Sequence, residues 1–221
     1  MLFFRKNIMA LTGLFLCIFL MVHLAGNLIL LFPESTSRDL YNLYSHTLGE
    51  NPFIKVVSIF LYLSIILHTL YAVLITLKNK DSSPEKYLIN KNEENSTWAS
   101  RNMGLLGFVI LIFIIVHMAN FWARIKLGFG LEVPLDSRGY KDVYLVTSEL
   151  FHNFYYVLFY SLLMIPLGMH IKHGLSSSLR TLGLSSKFYI SYTKKFSTLL
   201  SICFTVGFAL IPILVYLRGL K

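Results

Sequence analysis

One stretch of the chain, residues 104–124, limits the fold more than any other. From Leu105 to Val116 it has no polar side chain, and His117 follows directly. About 20 mainly apolar residues cross the hydrocarbon core of a bilayer, so this stretch predicts a transmembrane helix. An ionisable side chain in such a helix is costly and usually has a partner. The sequence therefore raises the question of what His117 is paired with.

The composition extends this interpretation to the whole chain. The 221 residues are 55% hydrophobic and 14% charged, whereas soluble domains carry about 25% charged residues. The net charge of +9 is typical of basic loops beside membrane spans, so we expect no nucleic-acid partner. Cys17 and Cys203 each lie alone in an apolar run and support neither a disulfide framework nor a cysteine metal site.

The pattern of apolar runs predicts one all-α membrane domain over residues 1–221, with five transmembrane helices. We expect helices I–IV to form a bundle and helix V to be peripheral to it. Helix IV is expected to begin near Tyr144 or Ser148, and a short helix is expected between Arg38 and Leu48. The predicted helices I to V cover about residues 8–32, 53–77, 102–126, 148–179 and 196–217.

The Lys and Arg residues predict the orientation. Of the 20, twelve belong to the N-terminus and the loops at residues 78–101 and 172–195, and the remaining eight lie on the other side. By the positive-inside rule, the N-terminus is cytoplasmic and the C-terminus is outside.

Four histidines lie within four different predicted helices, at two depths. Counting from the predicted cytoplasmic ends at 1.5 Å per residue, His23 is about 22 Å up helix I and His117 about 21 Å up helix III. His68 in helix II and His170 in helix IV are each about 13 Å up. The spacing predicts an outer pair, His23 with His117, and an inner pair, His68 with His170.

Facing histidines at one depth in a helix bundle are typical of a bis-histidine haem site. Zinc would need three or four ligands at one point, often with carboxylate or thiolate help. A single intramembrane histidine is about as often a hydrogen-bonded contact between helices. We therefore predict that helices I–IV form a haem-binding bundle with two b-type haems. We expect Gly26, Gly168 and Gly174 to leave room for the porphyrin edges.

The other three histidines are expected to have structural roles. His46 lies in the predicted outer loop, His152 at the outer interface and His173 at the inner interface. His173 competes with His170 as the inner ligand because the two face nearly the same way. We favour His170 because it lies deeper.

Six short segments in this order and spacing resemble a known family over nearly the whole chain. They are HLAGNL at 23–28, LHTLY at 67–71, WASRNM at 98–103, HMANFW at 117–122, HIKHGL at 170–175 and TLGL at 181–184. They resemble the diheme cytochrome b anchor of bacterial succinate dehydrogenase and fumarate reductase, in its five-helix form. The resemblance implies that His23 and His117 ligate the iron of an outer protohaem, and His68 and His170 that of an inner one.

The resemblance also implies the partners. A FAD flavoprotein and an iron–sulfur protein would dock on the cytoplasmic face of a bacterial inner membrane, beside the two basic loops. Electrons would pass through the two haems to or from a membrane quinone, expected to be menaquinone. The chain would then be a subunit of respiratory complex II, which contributes to the tricarboxylic acid cycle, and the whole complex could form a higher oligomer.

The resemblance places the quinone near the outer haem. His46 and Glu50 are candidates to hydrogen-bond a quinone carbonyl, although both could equally be loop residues facing water. Arg124 is a candidate partner for a haem propionate, or else a snorkelling interface arginine. Some family members carry a glutamate for proton transfer two residues before the inner ligand, where this chain has Gly168.

Two other functions fit part of the pattern. A diheme anchor of a nitrate reductase or formate dehydrogenase would share the histidine pairs but bind a molybdenum protein. A small transporter could use intramembrane histidines for protons or metal, although the spans offer no intramembrane carboxylates or internal repeat in its favour.

Overall fold

The computed structural model describes residues 2–81, 97–186 and 188–220, so the predicted basic loop at 78–101 lies partly outside the described residues. Within these ranges the chain is helical and has no β-strand; a single antiparallel bridge joins Leu135 and Lys141. A 3-10 turn, Leu28–Leu31, extends α1, and a π-helix, Met118–Leu127, extends α5. The α-helices are α1 (Leu2–Asn27), α2 (Glu34–Glu50), α3 (Pro52–Asp81), α4 (Trp98–Arg101), α5 (Met103–His117), α6 (Val143–Phe151), α7 (Phe154–Leu162), α8 (Met164–Thr181) and α9 (Ile190–Gly219).

Five helical segments in the described ranges are long and apolar enough to span a membrane. This confirms the predicted fold class: the chain is an all-α, multi-pass membrane protein. We number the segments helices I to V, and we call the side that carries the N-terminus the inner side. Their bounds are Phe4–Leu31, Pro52–Lys78, Met103–Leu127, Phe154–Thr181 and Ile190–Gly219.

Helices I to IV form a four-helix bundle. Helix I packs against helices II and IV, and helix III packs against the same two. Helix I therefore lies diagonally across the bundle from helix III, and helix II lies across from helix IV. Helix V packs mainly along helix IV and the outer part of helix I, which is the peripheral position expected for it. Helices that follow one another in the chain are antiparallel neighbours here, which is a common arrangement in four-helix bundles.

The start predicted for helix IV is wrong, because the chain forms two helices there instead of one. The Asp142 carboxylate accepts a hydrogen bond from the Leu145 N–H and caps the separate helix α6. Helix α6 ends at Phe151, and the Asn153 side chain then caps α7 by accepting from the Tyr155 N–H. Side-chain oxygens of Asp and Asn satisfy the free N–H groups of a first turn, so each one starts a helix.

Helix V begins at Ile190, earlier than the predicted start at 196. Lys194 and Lys195 therefore lie on the first turns of a membrane-spanning helix and not in a loop. The short outer helix is also longer than predicted, since α2 covers Glu34–Glu50.

A polar network on the outer side holds α2 against α6. Asp142 is fully buried and accepts hydrogen bonds from Asn42 Nδ2 at 2.9 Å and Arg38 Nε at 2.8 Å. Asn42 Oδ1 in turn accepts from the Tyr144 N–H at 2.9 Å. Burial raises the pKa of the Asp142 carboxyl, but these hydrogen bonds and the nearby Arg38 charge outweigh it, so its pKa lies below the ordinary value. We call α2, residues 128–142 and α6 the outer cap.

Candidate cofactor site in the helix bundle

The outer pair of histidines meets across one diagonal of the bundle. His23 of helix I and His117 of helix III have ring centroids 5.8 Å apart, with ring planes at 86°. Both side chains are partly buried among the helices. The spacing prediction had placed these two rings at one depth, and the structure brings them together.

The inner pair meets across the other diagonal. His68 of helix II and His170 of helix IV have ring centroids 6.2 Å apart, with ring planes at 68°. It is His170, and not His173, whose ring faces His68. All four histidines predicted as ligands thus lie in two facing pairs, each of which bridges the two helices of one diagonal.

The pairs are not hydrogen-bonded contacts between helices. No hydrogen bond joins the two rings of either pair, although all four rings lie in the described part of the chain. His117 Nδ1 and His170 Nδ1 are buried without any hydrogen-bond partner. A buried polar atom without a partner costs about 1–3 kcal/mol, so a hydrogen-bonded contact between helices does not account for these rings.

The distances fit a metal ion between the rings. Two imidazoles that bind one metal ion from opposite sides, each with a nitrogen–metal bond of about 2 Å, have ring centroids roughly 6 Å apart. The described residues contain no group of three or more His, Cys, Asp and Glu side chains placed to bind a metal. Two nitrogen ligands alone suit an iron whose other four ligands come from a porphyrin. The residues present therefore fit a haem in each pair.

One ring of each pair has a polar neighbour that restrains it. Thr12 Oγ1 of helix I lies 3.2 Å from His68 Nδ1. Asn27 Nδ2 lies 3.4 Å from His23 Nδ1 and donates to the His23 carbonyl at 2.8 Å. Metal-binding histidines usually hydrogen-bond through the nitrogen that does not bind the metal, so the Thr12 contact leaves Nε2 of His68 as its ligand atom. Asn27 Nδ2 also lies 3.5 Å from His23 Nε2, so this contact orients the His23 ring without selecting one of its nitrogens.

Asn27 also connects the outer pair to the outer cap. Tyr41 of α2 donates a hydrogen bond to Asn27 Oδ1 at 3.2 Å. The next residue, Asn42, belongs to the Asp142 network. The orientation of His23 therefore depends on a part of the protein outside the membrane span.

Aromatic rings surround His117. The centroids of Phe113, Phe121 and Tyr160 lie 5.6, 5.0 and 6.0 Å from that of His117. The Tyr160 hydroxyl accepts a hydrogen bond from Asn120 Nδ2 at 3.1 Å. Asn120 lies on the π-helix that begins directly after His117, and such wide turns are frequent at functional sites. These rings exclude water from the outer pair.

Glycines approach the inner pair instead. A Cβ on Gly13 of helix I would lie 3.3 Å from His68 Cε1, and one on Gly107 of helix III would lie 3.7 Å from His170 Cε1. At the inner level helices II and IV thus contribute the imidazoles and helices I and III contribute the space beside them.

The prediction that glycines leave room for the porphyrin edges is wrong for Gly26 and Gly168, because both pack against other side chains. Gly26 is covered by the Tyr44 ring, whose nearest carbon would be 2.5 Å from an added Cβ. A Cβ on Gly168 would meet Thr205 Oγ1 of helix V at 2.0 Å, and one on Gly174 would meet Met103. Gly26 and Gly168 thus allow close packing of the outer cap and of helices IV and V. The contact at Gly174 is an ordinary one at 4.0 Å, so its role beside the porphyrin stays a prediction. The packing at Gly168 also leaves no room for the glutamate that some family members carry there.

The contacts along helices I and III give the separation of the two pairs. Gly13 and His23 are ten residues apart on helix I, as are Gly107 and His117 on helix III, which corresponds to about 15 Å on both helices. The sequence estimate gave about 9 Å, because it assumed that the helix ends lie in one plane. The inner ends do not lie in one plane, since α1 begins at Leu2 and α3 continues to Asp81.

The other predicted site residues lie on the outer side. The His46 ring is exposed and stacks on Tyr140 at a centroid distance of 3.9 Å. Glu50 is exposed and pairs with Lys55 at 3.1 Å. The structure places neither of them against the histidine pairs, and their quinone role stays a prediction.

Arg124 lies near the outer end of helix III. Its Nη2 pairs with Glu149 at 3.0 Å, while its Nε is buried without a hydrogen-bond partner. The Nε–H can therefore still donate to another acceptor, and the role in binding a propionate stays a prediction.

Sequence reasoning missed Thr12, Gly13, Asn27 and Gly107 as neighbours of the histidines. A signal for the two glycines was present, since helices I and III both carry a glycine ten residues before the histidine. Asn27 also had a signal, because it lies four residues after His23 on one helix and that spacing places two side chains side by side. Thr12 gave no comparable pattern.

No protein-family model matches this sequence, and no curated protein or solved structure matches it either. The resemblance to the diheme anchors therefore depends on the segments quoted above.

Proposed function

We propose that the chain is a membrane electron-transfer subunit that holds two b-type haems. His23 and His117 would hold the iron of the outer haem, and His68 and His170 would hold that of the inner haem. The observation that carries this proposal is the presence of two diagonal histidine pairs, each at metal-binding separation and neither hydrogen-bonded. Two such pairs at separate levels favour electron transfer through the bundle over a single binding site.

Bound haem would supply a one-electron carrier at each level. The protein's part is to hold and orient the four imidazoles. Thr12 restrains the ring of His68, and Asn27 restrains that of His23. Around the outer pair the aromatic rings keep water away, which preserves the low dielectric that helps to set a haem potential.

We propose further that the soluble partner is of the succinate dehydrogenase or fumarate reductase type. The family segments and the five-helix arrangement support this assignment. A flavoprotein with FAD and an iron–sulfur protein would bind on the inner side, and a quinone, expected to be menaquinone, would react on the outer side. With the N-terminus in the cytoplasm, the membrane would be the bacterial inner membrane.

A reduced-minus-oxidised spectrum of the purified full chain tests the haem proposal. We expect a b-type α band, and the pyridine haemochrome method should give two haems per chain. Metal analysis of the same sample should give two irons. A colourless protein, or one with zinc instead of iron, would rule out the electron-transfer role.

Isolation of the protein from its native membrane in mild detergent tests the partner. We expect covalently or tightly bound flavin and iron–sulfur clusters in the co-purified chains, together with succinate–quinone or fumarate–quinol activity. Co-purification of a molybdenum protein would leave the haems in place and would replace this partner with a nitrate reductase or formate dehydrogenase.

A further inference from the structure

Helices IV and V are separated on their lipid-facing side by a groove of about 260 Å³. Gly168 has no side chain, and its backbone packs directly against Thr205 of helix V. The space beside this contact therefore stays open and forms the groove. Ser201 and Thr205 contribute hydroxyl groups, but both donate to backbone carbonyls of their own helix. The remaining lining is apolar except for Lys172.

A second hollow continues this groove toward the inner side. It lies along the first turns of helix V and has Lys194 and Lys195 at its inner end. Ile202 lines both hollows, so the two form one surface. We call this surface the IV–V groove. It has three lysines along its length, and its walls are mainly apolar.

Lys172 is placed unusually for a lysine. It lies nine residues before the end of helix IV, or about 13 Å into that helix. Its side chain is exposed at the surface of the bundle, and it is in none of the ion pairs found among the described residues. A cation that faces lipid at this depth requires a counter-charge or a path to the headgroup region.

Aromatic side chains mark the headgroup level at the inner end of the groove. Phe188, Tyr189 and Tyr192 are 89%, 61% and 69% exposed, and exposed aromatic rings at a helix end are typical of a membrane interface. Lys194 and Lys195 follow within one turn. Their ammonium groups can therefore reach lipid phosphates while the groove extends toward the acyl region.

We propose that the IV–V groove binds one anionic phospholipid. The phosphate would pair with Lys194 and Lys195, and one acyl chain would lie along Ile202 and the gap beside Gly168, with Lys172 extending to the same headgroup. Charge complementarity selects an anionic lipid, because three cations along one groove have no acidic partner among the described residues. Basic pockets between transmembrane helices are known to bind such headgroups. The proposal does not depend on the presence of haem.

Native mass spectrometry of the full chain tests this proposal. The protein is equilibrated in detergent with equal amounts of phosphatidylglycerol and phosphatidylcholine that have the same acyl chains. The detergent is then removed in the gas phase, and the lipid that stays bound is identified by its mass. We expect one phosphatidylglycerol to be retained in preference to phosphatidylcholine. Replacement of Lys195 by Gln should lower its retention about fivefold, and replacement of Lys172, Lys194 and Lys195 together should remove the preference.

Two further variants separate a groove from a general charge effect. Lys6→Gln removes an exposed lysine from the same inner side but outside the groove, and it should leave retention unchanged. Val206→Trp fills the groove without changing charge, and it should release the lipid. Each variant is compared only if its thermal transition matches that of the wild type.

Three results would overturn the proposal. Equal retention of the two lipids would show that the lysines do not select charge. Unchanged lipid retention in the triple variant would place the lipid elsewhere. Loss of a co-purifying soluble protein from the triple variant, with lipid retention unaffected, would make the groove a protein contact.

Discussion

The two histidine pairs have similar geometry but very different surroundings. The inner pair has small neighbours, Gly13 and Gly107, from the two helices that provide no ligand at that level. The outer pair is enclosed by large aromatic rings, among them Phe121 and Tyr160. The ring centroids are nevertheless 6.2 and 5.8 Å apart in the two pairs.

This difference indicates which changes each pair should tolerate. At the inner level the absence of side chains provides the space, so added volume should be harmful there. At the outer level aromatic packing and the link through Asn27 to the outer cap hold the rings, so removed volume should be harmful there. The two pairs should therefore be separable by mutation even though they share one bundle.

The largest expected effect is the loss of one haem from one level. His68→Ala should remove the inner haem and His117→Ala the outer haem, because an iron bound by one remaining imidazole loses half of its protein ligands. Each variant should retain about one of two haems by pyridine haemochrome assay. A redox titration should then show which of two midpoint potentials has disappeared, and it should be a different one in the two variants.

His173→Ala is the matched control for the inner level, because this ring lies one turn from His170 but does not face His68. We expect it to keep both haems. The comparison fails if His173→Ala removes a haem while His170→Ala does not, or if every single histidine variant loses both haems together.

An intermediate effect on haem retention is expected when a side chain is added beside the inner histidine pair. Gly13→Val places methyl groups against the His68 ring, since even a Cβ would lie 3.3 Å from Cε1. Overpacking costs about 1–3 kcal/mol, so we expect roughly tenfold weaker retention of the inner haem. Titration of the apoprotein with haemin measures this, and the outer haem should be unaffected.

Gly174→Ala is the control for Gly13→Val. It also adds volume at a glycine, but on helix IV, which carries His170, and away from a histidine ring. Its added Cβ would have Met103 Cε as its nearest contact, at 4.0 Å, and that side chain is flexible. We expect full retention of both haems. If the two substitutions weaken haem binding equally, helix packing in general and not the space beside His68 determines the affinity.

The sequence was sufficient for the parts of this architecture that depend on apolar length and periodicity. Five long runs, four of which carry a histidine at one of two matched depths, predicted the spans and the facing rings. The diagonal arrangement followed only from the packing of the helices, because a sequence shows which residues share a helix but not which helices are neighbours.

The predictions that depended on a particular contact were less successful. Gly26 was selected because it is near His23 in sequence, but its surface is covered by Tyr44 from α2. Thr12 and Gly13 are 55 or more residues from His68 along the chain, and only the packing of helix I against helix II brings them together. The buried Asp142 network joins two segments about 100 residues apart in the same way, and it has no local pattern that would reveal it.

The smallest effect we expect is a change in the midpoint potential and the retention of the inner haem. Thr12 Oγ1 lies 3.2 Å from His68 Nδ1, and one such hydrogen bond contributes about 0.5–1.5 kcal/mol. Thr12→Val should therefore shift the inner midpoint potential and weaken retention of the inner haem by about twofold to tenfold, whereas Thr12→Ser keeps the hydroxyl and should leave both at their wild-type values. The outer potential should not move in either variant, because Asn27 and not Thr12 restrains His23. If the Ser and Val variants behave alike, Thr12 acts through packing alone, and the inner pair then depends only on the space that Gly13 and Gly107 leave beside it.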